Sequence, residues 1–413
     1  MQNYFVDLHV HIGRAGDGMP VKITAARSLT VHNILEECMV RKGIEIVSIV
    51  DASSPVVQKD LQYLVDIGYL RALDGGGLRY KDSITLILGG EVETTEKVTD
   101  ESGLLRERSA HCLCYFPHLF MMRQFTLEVS APGRIKNSDL SSQKCYLSMQ
   151  EVWEIVNHLG GILIPAHAFT PHKGVYGNCI KSWREIFTPE AWAAIPAIEL
   201  GLSADSEYAD MISELAGKSF VSNSDAHSLP KIGREYNIMR LQEPTYDELV
   251  MALHREDGRA VVGNYGFDPK LGKYHRTYCE ECGVTVSEEP PVMACTECGT
   301  KADGRKVVQG VLDRIYLIRD NERPISPPYR PRYKHQIPLQ NLPGVGKKTL
   351  ERLLADNTEM EVLHMLGEAE LRRMVGNQTA EMIMLARDGK LEVSAGGGGY
   401  YGRVTGKKGD IVE

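Results

Sequence analysis

No stretch of the 413-residue chain stays apolar for the roughly 18 residues a membrane-spanning helix needs, so a helical membrane protein is not expected. The segment Met1 to His9 has neither a basic run nor an apolar one, and no secretory leader is read there. A disulfide framework is missing too. The nine cysteines are an odd number, with four in two CxxC pairs and five scattered. That usage belongs to a reducing compartment, and a cytoplasmic location is expected. No repeat of 20–50 residues recurs, which excludes a solenoid. Nor is there an overall basic excess: the net charge is −8, the wrong sign for a chain that grips nucleic acid with its whole surface.

What charge there is falls unevenly. Between Arg323 and Lys334 lie Arg323, Arg330, Arg332 and Lys334 with no acid, so a local basic stripe survives the acidic total. At this length two or three domains are expected. Up to about residue 268, β-branched runs at 44–50, 84–88, 161–165, 197–200 and 219–222 alternate with amphipathic stretches at 31–42 and 149–158, the latter opened by a Ser148–Glu151 capping box. This alternation predicts a parallel sheet with helical crossovers, open or closed as a barrel. Residues 275–299 are short, Cys-rich and Gly-punctuated. Five prolines in 323–338 read as an extended linker, and a helical pattern follows from Leu339. The implied divisions are 1–268, 269–322, 323–338 and 339–413.

The histidines and acids fall in a telling pattern. His9 and His11 sit two apart on a strand and so point the same way. Glu91 closes Gly89-Gly90-Glu91 after an apolar strand, and His111 lies in Ala110-His111-Cys112. His167 follows the strand at 161–165, and Asp225-Ala226-His227 follows the strand at 219–222. Barrel strands converge at their C-terminal ends, where active sites lie. Imidazoles mixed with carboxylates suit Zn²⁺, Mn²⁺ or Fe²⁺. Several ions together have a clear use with a phosphodiester, one acidifying a water and another neutralising the phosphoryl oxygens. Glu91 is placed to bridge two of them. Glu199, at a strand end, reads either as an orienting acid or as a plain salt-bridge partner.

Two further motifs stand apart. Cys279-x-x-Cys282 and Cys295-x-x-Cys298 are separated by twelve residues and each is followed by Gly, the spacing of a tetrahedral structural zinc site. Leu342-Pro343-Gly344-Val345-Gly346-Lys347-Lys348 precedes a helix, as in a helix-hairpin-helix turn. There Gly344 and Gly346 would let backbone N–H groups approach a DNA phosphate, and Lys347 and Lys348 would add charge. Arg330 and Arg332 are further candidates for phosphate contact. His172 and Lys173, beyond the His167 strand, are candidates for touching phosphate, and His172 for protonating the leaving group. Tyr274 and Tyr278 are candidates for lining a pocket that receives an unstacked base.

The ligand order resembles that of the PHP (polymerase and histidinol phosphatase) domain, a distorted seven-stranded α/β barrel holding up to three metals. The resemblance implies one metal on His9, His11, Glu91 and Asp225, and a second on Glu91, His111 and His167. A third would involve His227, with Asp17 where a histidine often stands. The customary Thr-Asp-His reads Val50-Asp51-Ala52 here, which leaves Asp51 as a candidate ligand in its place. Barrel, Cys₄ ribbon and helix-hairpin-helix-like tail in this order resemble the endonuclease Q family. The resemblance extends to 167–177 and to the Gly-Gly-Gly-Gly-Tyr-Tyr-Gly tail. It implies an endonuclease with zinc at the Cys₄ and PHP sites and with Mg²⁺ or Mn²⁺ as candidate catalytic ions, which nicks single- or double-stranded DNA 5′ to uracil, hypoxanthine, xanthine or abasic sites, with Glu91 and Asp225 essential. A phosphatase of small phosphomonoesters would explain the barrel but nothing after residue 270. A non-catalytic DNA-binding protein would leave the ligand set without purpose. A sliding-clamp partner finds no support, since the end of the chain has no aromatic clamp-binding box.

Overall fold

The structure, a computed structural model, describes residues 1–100, 103–135, 137, 139–302 and 306–407. Residues 408–413, in which no clamp-binding box is read, lie outside the described residues.

The chain is an α/β protein: a distorted barrel, a small Cys₄ ribbon and a helical C-terminal region. Successive strand residues point to opposite faces, and the barrel's two cores follow that alternation. Ile46, Ile87, Leu113, Tyr115, Ile164 and Val221 join one buried cluster. Their strand neighbours Val47, Leu86, Leu88, Cys112, Cys114 and Leu163 join another. Strands buried on both faces read as the near-continuous apolar runs seen in the sequence. Helix Tyr246–His254 adds Tyr246, Leu249, Ala252 and Leu253 to the first cluster.

The sheet is mixed rather than parallel throughout. Strand Gln2–Val10 runs parallel to Ile46–Ile49, which runs parallel to Ile84–Thr99. Ile84–Thr99 then turns back antiparallel into Leu105–Phe116, too soon for a crossover helix. The other flank is antiparallel as well, Gln2–Val10 pairing with Tyr236–Leu241 and that strand with Ala260–Gly266. Ala197–Glu199 and Ser219–Val221 form a separate parallel pair. Among the described residues no helix is long and apolar enough to cross a membrane.

The proline-rich segment 323–338 is extended, and it is pinned to the barrel: Tyr333–His335 adds a parallel strand beside Ala260–Gly266. This corrects the expectation for Arg330. Its guanidinium is buried, pairs with Asp210, donates to the carbonyls of Leu215 and Lys218 at 3.0 and 2.7 Å, and stacks 3.6 Å over the Phe220 ring. A side chain so enclosed is not available to DNA. Arg330→Ala is expected to cost about 3–5 kcal/mol of stability, because it strands the buried Asp210 carboxylate. Denaturant titration should show that loss, with the salt dependence of DNA binding unchanged. Arg332, in contrast, is exposed.

The helical region is fastened to the barrel by polar contacts. Lys42 Nζ meets Glu359 Oε2 at 2.6 Å with both side chains buried, and Glu359 also accepts the Leu339 N–H. His364 Nε2 lies 2.6 Å from the Tyr236 hydroxyl, among the rings of Phe5 and Tyr265. The glycine-rich tail leans on the ribbon's base. Gly402 and Gly399 donate to Leu271 and Lys273 carbonyls, and a Cβ at Gly398 would come within 2.6 Å of the Tyr278 ring.

Candidate metal centre and nucleic-acid surface

The first strand loses regular pairing with its neighbour between Asp7 and Val10, an irregularity of the kind that re-aims side chains at a barrel rim. His9 and His11 emerge there fully buried, their rings 5.2 Å apart. His11 N–H donates to the Ala226 carbonyl and Ala226 N–H to that of His9, which sets Asp225 beside both rings. Asp7 holds the approach: it accepts the N–H groups of His9, Ser224 and Gly233. Glu91 and His111 belong to the long hairpin, where Glu93 stands opposite His111. His167 follows the strand Ile162–Pro165, and its N–H donates to Glu199 at 2.7 Å. His167 and Asp225 both have positive φ, 28° and 45°, a conformation costly for side chains of this size and characteristic of functional sites.

Two sets of donors result. His9, His11 and Asp225 form one, and Glu91, His111 and His167 the other, each with its donor atoms within 4.8 Å of one another. Glu91 touches both. Its Oε1 lies 2.9 Å from His111 Nδ1, 3.6 Å from His167 Nε2 and 3.4 Å from His9 Nε2. Its Oε2 lies 3.7 Å from His11 Nε2. Burial works to raise the carboxyls of Glu91 and Asp225. For Glu91, His111 and Lys22 more than offset it; for Asp225, His11, His9 and His227 do, so both are held well below the usual carboxylate range.

The histidines are held from behind. Glu199 takes His9 Nδ1 at 3.0 Å and Asp51 takes His11 Nδ1 at 3.1 Å, an arrangement that fixes ring and tautomer and presents Nε2 to an ion. The buried Nε2 atoms of His9, His11 and His111 have no hydrogen-bond partner. Orphaned imidazole nitrogens beside two carboxylates fit divalent cations, which would satisfy them all.

Asp51 is thereby corrected from ligand to orienting acid, its oxygens already engaged by His11, Ile12 N–H and Ser141. Asp17 is exposed, accepts the Met19 N–H and joins neither set. His227 also stands outside them. Its ring is 4.5 Å from that of His11, its Nδ1 lies against the Asp225 carbonyl, and burial beside His11 pulls it down to about 4.

A cleft of about 350 Å³ opens over the centre, lined by His167, Asp225, His227, His172, Tyr274, Lys231, Arg234, Lys273 and Tyr401. Arg234 braces it, donating to the carbonyls of Ser224 and Asp225 and to the Tyr401 hydroxyl. Next to it His172, Tyr274 and Tyr278 line a hollow of about 180 Å³, with His172 and Tyr274 meeting edge to face at 5.0 Å. Lys173 pairs with Glu93, its ammonium thus partly neutralised. Lys22, Lys231, Arg234 and Lys273 belong to no motif that the sequence marks, and only the fold brings them to the centre. Tyr401 fell within the noted glycine-rich tail, where nothing marked it as reaching the cleft.

The four cysteines converge: Cys279 and Cys298 sulfurs are 3.7 Å apart and Cys282 and Cys295 sulfurs 3.9 Å, with Cys279 in the middle strand of a three-stranded sheet. The set fits a zinc ribbon. In the helical region Gly344 has φ 85°, Gly346 caps helix Lys347–Leu353, and Lys347 and Lys348 are exposed. Replacing both lysines with Ala is expected to flatten the slope of log K against log salt for duplex DNA by about two, roughly one per phosphate contact. An unchanged slope would remove this hairpin from the DNA surface.

Comparisons with known proteins agree in one direction. The family model described as PHP-associated matches residues 207–257. The uncharacterized protein YqxK of Bacillus subtilis is 46% identical over 407 residues, covering 98% of this chain and 100% of YqxK. MJ0043 of Methanocaldococcus jannaschii, also uncharacterized, is 33% identical over 260 residues, which span 56% of this chain and 32% of that protein. Among solved structures, the lesion-specific endonuclease PfuEndoQ from Pyrococcus furiosus superposes with a TM-score of 0.79 at 29% identity, over 98% of this chain and 95% of that one. An endonuclease Q bound to a 27-mer duplex substrate with an abasic lesion at the active site gives 0.79 at 28% identity, over the whole of both chains.

Proposed function

Because the chain belongs to the endonuclease Q family of PHP-domain proteins, we propose that it is a metal-dependent DNA endonuclease that cuts the phosphodiester 5′ to deaminated bases (uracil, hypoxanthine, xanthine) and to abasic sites. The observation that carries this reading is the pair of donor sets meeting at Glu91, with His167 and Asp225 opening them to a cleft rimmed by cations. Full-length likeness to an endonuclease Q with a lesion duplex in its active site supports DNA as the substrate.

His9, His11 and Asp225 would hold one ion and Glu91, His111 and His167 another. Bound there, divalent ions supply an acidified water and charge neutralisation at the phosphoryl group. The protein's own groups do the rest. Glu199 and Asp51 keep the His9 and His11 rings in place. Lys231, Arg234 and Lys273 draw the phosphate backbone into the cleft. Partial desolvation, with Lys273 close by, pulls His172 below its ordinary value. Its imidazole, on the wall of the cleft, is placed to hydrogen-bond phosphate or to protonate the leaving oxygen. Arg332, Gly344, Gly346, Lys347 and Lys348 grip the duplex away from the cut. Lys173, tied to Glu93, contributes at the rim.

Recognition of the damaged base falls to the hollow walled by Tyr274 and Tyr278, which receives it once unstacked. Competitive single-turnover assays on duplexes carrying deoxyuridine, deoxyinosine or an abasic site test this. Tyr274→Ala is expected to slow cutting at the two base lesions by about tenfold, the worth of one lost stacking contact, and to spare the abasic site, which has no base to hold. Equal slowing on all three would place base recognition elsewhere.

A further inference from the structure

Glu91 turns its two oxygens to opposite sides of the centre. Oε1 faces His9, His111 and His167. Oε2 faces His11 and, at 2.9 Å, the ammonium of Lys22, with Ser142 Oγ against both. Lys22 arrives on the loop that follows the first strand. That loop is sewn to the strand's end, Val21 N–H donating to Gly13 at 3.1 Å and Lys22 N–H to Ile12 at 3.0 Å. The lysine side chain is 14% exposed, so its charge is spent inside the site rather than in solvent.

The same side of the centre lacks the means to hold a third metal. Ala52, fully buried, offers no donor where the PHP pattern has histidine. Asp51 has its oxygens committed to His11, Ile12 and Ser141, and Asp17 is out in solvent. His227 remains, with its Nδ1 on the Asp225 carbonyl. One imidazole nitrogen and a carboxylate oxygen already against an ammonium make a poor cation site, and a divalent ion placed there would be repelled by Lys22.

We propose that the ammonium of Lys22 stands in for a third metal ion: the barrel binds two ions, and Lys22 supplies the third positive charge, fixed to the protein. Lys22 is a positioning residue, holding the Glu91 carboxylate between the two donor sets. Its contribution to phosphodiester hydrolysis rests on the nuclease reading above; the ion count does not.

The test is the metal content of the full chain, dialysed to equilibrium against excess Mn²⁺ and measured by plasma mass spectrometry, beside the variants Lys22→Arg and Lys22→Met. Two ions beyond the one held by the four cysteines are expected in the parent protein; three beyond it would overturn the proposal. In Lys22→Met the two ions are expected to bind at least as tightly, since a competing charge is gone. Cutting of an abasic duplex should meanwhile fall about a hundredfold, as when one fixed charge-stabilising group is removed, and be largely kept in Lys22→Arg. A lysine that merely props the fold would lose metal and activity together, and that result would also overturn the proposal. Should the parent protein cut no DNA, the ion count still decides the matter.

Discussion

Asp225→Asn is expected to lower cleavage of a lesion duplex by a factor on the order of 10³ while leaving affinity for that duplex within about twofold. Asp225 Oδ1 lies 3.6 Å from His9 Nε2 and 3.4 Å from His11 Nε2, so it completes one donor set without carrying the fold. An amide has nearly the same shape and can accept a hydrogen bond, but it brings no negative charge to a site whose function is to concentrate positive charge. In the proposed reading DNA is gripped by cleft-rim cations and the exposed hairpin lysines, so binding is expected to outlast chemistry. Single-turnover gels paired with fluorescence anisotropy separate the two quantities. Retained cleavage would show that this donor set is not catalytic. Joint loss of binding and cleavage would mean that Asp225 supports the cleft's shape.

The second large effect concerns the ribbon. Its own apolar cluster consists of Cys279, Cys295 and Val307, with Cys282, Val284 and Ala302 packed against it. A core this small cannot offset the conformational entropy of the chain around it, so the metal must do so. Structural zinc sites supply on the order of 10–16 kcal/mol of apparent binding energy, all of it folding energy. Cys279→Ser is therefore expected to release the ion and strip hydrogen-exchange protection from Tyr278–Cys279 and Val307–Val308, with the barrel strands unaffected. Tyr278 would lose its place in the hollow beside the cleft, and discrimination between damaged and intact DNA should fall with it. Protection retained after loss of the ion would show that contacts with the glycine-rich tail hold the ribbon instead.

Much of the centre was legible before any coordinates because its donors share a signature: acids and imidazoles at the ends of apolar strands. His9, His11, Glu91, His111, His167 and Asp225 meet as that signature implies. The CxxC pairs were equally plain, since spacing alone brings four thiolates together. What stayed hidden depended on contacts between distant segments. Asp51 reads as a candidate ligand in sequence and Glu199 as either an orienting acid or a salt-bridge partner; only the folded chain shows each one behind a histidine. Lys22 reaches Glu91 across 69 residues and nothing local announces it. Arg330 was misread because a charge among prolines resembles an exposed stripe, whereas Asp210 and Phe220 enclose it. The antiparallel hairpin carrying Glu91 and His111 was missed because apolar strands read alike whichever way they run.

Lesion-directed, metal-dependent strand cutting is the activity that every role assigned above serves. The direct measurement is a denaturing gel of end-labelled duplexes, one undamaged and one with a single abasic site, incubated with the purified protein and Mn²⁺ or with chelator. One nick is expected on the 5′ side of the lesion, none in the undamaged duplex and none with chelator. Absence of cutting with the ions confirmed bound, together with hydrolysis of p-nitrophenyl phosphate, would contradict that expectation and make the barrel a phosphomonoesterase.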